Sequence, residues 1–143
     1  MKIIIEDLPS ETEEHIIIRC NQVSPEIARI IAAIKSQEPL FAYSEQEICR
    51  VRLEEIFYIE AVDGKTFLYT NEKVFELKQR LYELDDELGF NFQRISKSVV
   101  LNLKKIKSLR PAINGRFEAL LDNGERIIIS RQYVSSLKEK FGI

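Results

Sequence analysis

"ISKSVVLNLKKIKSLR", residues 95–110, decides how this chain of 143 residues is read. Val99, Val100, Leu101 and Leu103 write its centre as a buried strand. Around them stand Lys97, Lys104, Lys105, Lys107 and Arg110, with no acid among them. The chain as a whole is slightly acidic, with net charge −2, so this concentration of cations on a strand needs a reason. Residues 1–89 hold 19 acids and 10 bases, residues 90–143 only 4 acids and 11 bases. Between Phe90 and Arg116 seven bases meet no acid. A separation on that scale gives one face of an acidic protein the means to attract a polyanion. The plainer reading is a solvated basic face with acidic neighbours beside it.

The length suits one compact domain, or one domain with a small appendage, large enough to bury a core without staples. No run approaches the ~20 apolar residues that span a bilayer, and no signal-peptide pattern opens the chain. Cys20 and Cys49 lack any partner motif and read as reduced core thiols. The cytoplasm is the expected compartment.

Outward from the basic stretch, turn chemistry and period-two patterning predict a mainly β, α+β protein. "LFAYS", "ICRVRL" and "EIFYIEAV" precede Asp63-Gly64, and "TFLYT" returns as the hairpin partner. "FQRISKSVVLNL" and "KIKSLR" read as strands, followed by a turn at Asn114-Gly115. "FEALL" and "ERIIIS" form a hairpin around Asp122-Asn123-Gly124. A last helix is capped by Ser130, with Tyr133, Val134, Leu137 and Phe141 on its inner face. "NEKVFELKQRLYELDDEL" (71–88) reads as another helix: Asn71 caps it, Val74, Leu77, Leu81, Leu84 and Leu88 make its stripe, and Gly89 ends it. Residues 1–40 read as a β-β-α appendage, a dimerisation or regulatory element packed against the domain at 41–143. Its strands are "KIIIE" (2–6) and "HIIIRC" (15–20). Its helix starts at Ser24-Pro25, buries Ile27, Ile30, Ile31 and Ile34, and ends near "SQEP" (36–39).

Catalytic chemistry lacks reagents. The single histidine, His15, sits in an apolar run, and with Cys20 and Cys49 it shows no metal-ligand spacing. There is no Gly-rich phosphate loop and no nucleophile elbow. "MKIIIED" resembles the first strand of a receiver domain, but the chain is too short for one. No enzyme activity, metal or cofactor is expected. The cations fare better: Lys97 and Lys104/Lys105 bracket a short apolar strand, with Ser96, Ser98 and Asn102 able to donate to phosphate oxygens. Arg131 stands at a helix start, able to make the bidentate contact that arginine makes with guanine. Lys65 lies at a hairpin tip. No aromatic residue lies between Gln93 and Arg116, which argues against a base-stacking RNA platform. The alternative is a non-enzymatic interaction module whose acidic N-terminal part docks a partner.

Over residues 45–141 the chain closely resembles the LytTR DNA-binding domain. The resemblance rests on Phe92, Arg94, Lys97, Ser98, Val100, Asn102 and Ile106. It continues with Asn123-Gly124, Ser130-Arg131 and Tyr133-Val134, and upstream with Ile56, Ile59 and Glu60. It implies a mostly β-fold whose loops, rather than a recognition helix, enter successive major grooves of duplex promoter DNA. On that pattern Lys65, Lys97 and Arg131 would read bases. Arg94, Ser96, Ser98, Asn102, Lys104, Lys105 and Gln132 would hold the backbone, Asn102 alternatively stabilising the fold. Many members carry histidine where this chain has Ser96, and two-component members carry a receiver that is missing here. The resemblance is therefore to receiver-less regulators, which implies a bacterial transcriptional regulator, a homodimer on paired half-sites, and control by a membrane-protein inhibitor.

Overall fold

A computed structural model describes residues 1–35 and 38–143, the side chains of Lys35 and Asp86 excepted. A seven-stranded antiparallel sheet is built from β1 (Leu40–Ser44), β2 (Glu47–Val51), β3 (Ile56–Val62), β4 (Lys65–Thr70), β5 (Val74–Leu77), β6 (Phe92–Arg94) and β7 (Val99–Asn102). Its order is β2-β1-β5-β4-β3-β7-β6. A second sheet, β10-β9-β8, uses β8 (Ile106–Pro111), β9 (Phe117–Leu121) and β10 (Arg126–Ile129). The helices are α1 (Pro25–Lys35), a single turn α2 (Asp85–Leu88) and α3 (Arg131–Phe141).

The opening stretch lies at the junction of two cores. Val100 joins Ile56, Ile59, Leu68, Leu84 and Leu88 on one face of the large sheet. Val99 and Leu101 point the other way and join Ala119, Leu121, Ile129 and Leu137 from the small sheet and α3. A strand buried on both faces loses the simple inside-outside alternation, which is why "SVVLNL" reads as a continuous apolar run. The sheets are also linked by Tyr58, whose hydroxyl donates to Glu125 Oε1 at 2.8 Å and whose ring stacks on Tyr69 at 4.4 Å. Lys140 ties the end of α3 to β6, its Nζ donating to the carbonyls of Phe90 at 3.0 Å and Phe92 at 3.1 Å. Burial holds that ammonium below the ordinary lysine pKa.

Residues 71–88 are not one helix. Val74–Leu77 forms β5, paired with β4 through Tyr69↔Val74 and Thr66↔Leu77 and with β1 through Tyr43↔Glu76. Phe75 and Leu77 are buried while Val74 is exposed, a period of two. Only Leu81–Glu83, a 3-10 turn, and α2 are helical, and Asn71 caps neither. Two strands with open edges outweighed the helix propensity of Glu, Leu, Lys and Gln. Likewise "FQRISKSVVLNL" splits into β6 and β7 around residues 95–98.

The appendage also departs from expectation. Residues 1–23 hold no strand, and the one backbone hydrogen bond within them runs from Thr12 N–H to the Pro9 carbonyl at 2.9 Å. α1 does form, its Ser24 Oγ accepting from Ile27 N–H at 3.2 Å. It turns Ile27, Ala28, Ile31 and Ala32 toward the protein, so only two of the four expected isoleucines are half-buried. Ala32 lies near Gly89, where a Cβ would stand 3.7 Å away. Alanines permit this close approach, and Ile30 and Ile34 remain 37% and 42% exposed. Of the helix end expected near 36–39, residues 36–37 lie outside the described residues, and Glu38 and Pro39 are not helical. Neither cysteine is a core thiol: Cys20 is exposed in the extended segment, and Cys49 is half-buried on the edge strand β2. Phe141, in the last turn of α3, is 38% exposed.

Candidate nucleic-acid interface

Residues 95–98 are held from three sides. Ile95 N–H donates to the Val99 carbonyl at 3.0 Å and closes the loop, while Ser98 N–H donates to Ser96 Oγ at 3.2 Å. Ala61 N–H donates to the Ser98 carbonyl at 2.8 Å, anchoring the loop to the end of β3. Ser130 N–H donates to the Ile95 carbonyl at 2.8 Å. That last bond brings the start of α3 beside the loop. The Ser130 side chain makes no capping bond, so its backbone amide fixes the position instead.

The β8–β9 hairpin supplies the third wall. Asn114 and Gly115 both adopt positive φ, 61° and 76°, and Ala112 N–H donates to the Arg116 carbonyl at 2.8 Å. Ser96, Lys97, Ser98, Asn114, Arg116, Ser130, Arg131 and Gln132 then line one open groove of about 650 Å³. Lys97, Arg116, Arg131 and Gln132 are exposed there. Among the described residues none of the three cations forms an ion pair. The groove also receives the N-terminus of α3, whose unpaired N–H groups add partial positive charge. Lys65 opens β4 just past Asp63-Gly64. Because Glu60 pairs with Val99 and Val62 with Lys65, it stands at the same end of the large sheet as Lys97.

Other predicted contacts are elsewhere. Asn102 is 2% exposed; its Nδ2 donates to the Ile56 carbonyl at 2.8 Å and its Oδ1 accepts from Lys104 N–H at 3.1 Å. Both amide ends serve the fold, which removes Asn102 from the phosphate-contacting set. Lys104 and Lys105 follow the far end of β7, roughly 15 Å or more from Lys97 at ~3.3 Å per strand residue. Lys105 lies over the Phe57 ring at 5.0 Å. Arg94 is half-buried on β6, its Nε without a hydrogen-bond partner. Arg110 is not free: it and Arg126 each reach Glu118 Oε1 at 2.9 Å, and the hydrogen bond from Arg126 above all holds that carboxyl below its ordinary pKa. Asn114, Arg116 and Ser130 are additions to the predicted set. Asn114-Gly115 reads locally as a turn, and only the β8–β9 pairing carries it to Arg131.

The arrangement offers a row of unpaired cations on short, anchored loops. Among the described residues no three His, Cys, Asp or Glu side chains come together to hold a metal ion. No described helix is long and apolar enough to cross a membrane.

Comparisons with known proteins agree with this architecture. The chain is 30% identical over 137 residues to an uncharacterized HTH-type transcriptional regulator of Staphylococcus aureus strain NCTC 8325, covering 94% of this chain and 93% of that one. A counterpart from strain MRSA252 is 29% identical with the same coverage. Among the solved structures, the LytTr DNA-binding domain of a Bacillus cereus protein superposes with a TM-score of 0.71 at 27% identity. It covers 75% of this chain and 99% of that domain. The sequence model of the LytTr DNA-binding domain matches residues 46–142. The chain belongs to the LytTR DNA-binding domain family.

Proposed function

We propose that this protein is a transcriptional regulator that reads duplex promoter DNA with loops. Residues 95–98 and the start of α3 enter one major groove, and the Asp63-Gly64 hairpin reaches the next. Lys97, Arg131 and Lys65 contact base edges; Arg116, Gln132, Ser96, Ser98 and Arg94 hold phosphates and fix the register. The observation that carries this reading is the convergence of Lys97, Arg116 and Arg131 on one groove without an acidic partner. A catalytic reading has no comparable cluster behind it.

Selection from random duplexes, followed by a salt titration on the selected site, tests the proposal. An enriched sequence is expected. If the five cations Lys65, Arg94, Lys97, Arg116 and Arg131 each displace about one counterion from the duplex, log affinity should fall against log salt with a slope of roughly −4 to −5. No enrichment, or an affinity indifferent to salt, would overturn it.

A further inference from the structure

Residues 1–23 carry two β-branched runs with no ladder between them. Lys2, Ile4, Glu6 and Leu8 of one run and His15, Ile17 and Arg19 of the other border a single open cavity. Ile3, Ile4 and Ile5 are 83%, 69% and 88% exposed, and Ile16 and Ile17 are 70% and 63% exposed. Five isoleucines in water beside unpaired backbone are an open invitation to another strand. Two strands alone are marginal in water, so a pair formed here holds weakly and its population depends on protein concentration.

The sequence of the first run specifies the occupant. "KIIIE" is self-complementary when two copies run antiparallel about Ile4. Lys2 then stands opposite the partner's Glu6, Ile3 opposite the partner's Ile5, and Ile4 opposite the partner's Ile4. Pairing the two runs within one chain, with Ile4 beside Ile17, sets Lys2 against Arg19, two like charges. The run "HIIIR" offers no opposite charges when paired with itself. We infer that residues 2–6 form an antiparallel strand pair with the same residues of a second copy, across a two-fold axis at Ile4. The contact is isologous, so each ion pair occurs twice. Ile3 and Ile5 of both copies make an apolar face.

Light scattering and sedimentation of the full-length chain across the micromolar range test this independently of DNA, since the readout is mass. A dimer is expected. Lys2→Glu and Glu6→Lys each turn two attractive pairs into two repulsive ones and should raise the dissociation constant about tenfold or more. Lys2→Glu/Glu6→Lys restores opposite charges and should return it to near the original value. With Cys20→Ser and Cys49→Ser in place, Ile4→Cys should form a disulfide-linked dimer under mild oxidation. Ile3→Cys should not, because residue 3 faces residue 5. A single-chain mass throughout, a double reversal as dissociated as the single ones, or equal cross-linking at 3 and 4 would each overturn the inference.

Discussion

The methylene stem of Arg131 lies against Gly115: a Cβ on that glycine would stand 3.0 Å from Arg131 Cδ and 3.1 Å from Cγ. One residue at a hairpin tip thus fixes where an arginine from another element can aim. Gly115→Ala should displace the guanidinium and lower affinity for the selected DNA several-fold. Its positive φ adds a strain of ~1 kcal/mol. Gly124 also has positive φ but has nothing within 4 Å of an added Cβ. Gly124→Ala should therefore lose similar stability and no affinity. Equal affinity losses for the two variants would show that strain, not the position of Arg131, is responsible.

Arg131→Ala should cost about 1–3 kcal/mol on the selected site and relax preference at one base pair. Quantitative competition against single-base variants of that site measures both. An equal loss on random DNA would reassign Arg131 to phosphate.

Asn102→Ala leaves the Ile56 carbonyl without its partner in a buried place and the half-buried Lys104 N–H without its own. Stability should fall by roughly 2–3 kcal/mol, seen as a lower urea midpoint. Affinity measured on the folded protein should hardly change. A variant with normal stability and weakened DNA binding would return Asn102 to the interface.

Tyr58 supplies the pH dependence. Burial first, then the bond to Glu125 and that carboxylate's charge, push its phenol well above the ordinary tyrosine value. The folded state keeps the proton that the unfolded chain releases above about pH 10. This contribution is whole below pH 10 and is lost as pH rises toward the folded value. Tyr58→Phe should cost ~1 kcal/mol near neutrality and flatten the alkaline fall in urea midpoint. An alkaline limb as steep as in the unaltered protein would move the effect to Tyr69, whose phenol is also raised, by burial and by Glu60.

Much of the fold is legible in sequence because its turns are. Asp63-Gly64 and Asn123-Gly124 each mark a hairpin the structure contains, and Phe117, Ala119 and Leu121 alternate as β9 does. β5 is not legible, because Val74, Leu77, Leu81, Leu84 and Leu88 repeat at helical spacing across three different elements. Lys97 and Arg131 can be singled out as cations, but their adjacency depends on Ser130 N–H reaching the Ile95 carbonyl, 35 positions away. Arg110 looks free in sequence because Glu118 meets it only across β8–β9. The strands expected at 2–6 and 15–20 have the right residues but no ladder within the chain.

The way the cations are placed bears on how the protein shares its time between one operator and the rest of a chromosome. Glu118 occupies Arg110 and Arg126, and the rings of Phe57, Phe117 and Phe90 lie under Lys105, Lys138 and Lys140. Glu118 offsets only one of the two arginine charges it binds, and a ring under a lysine leaves the charge in place while holding the ammonium against the protein, so these cations are less available to anonymous duplex. With about 10⁶–10⁹ competing sites in a genome, each phosphate contact withheld from random DNA lengthens the odds against being sequestered there. On the proposed reading, the cations held by Glu118 and the aromatic rings temper binding to random duplex, while a few unpaired ones choose where the regulator stops.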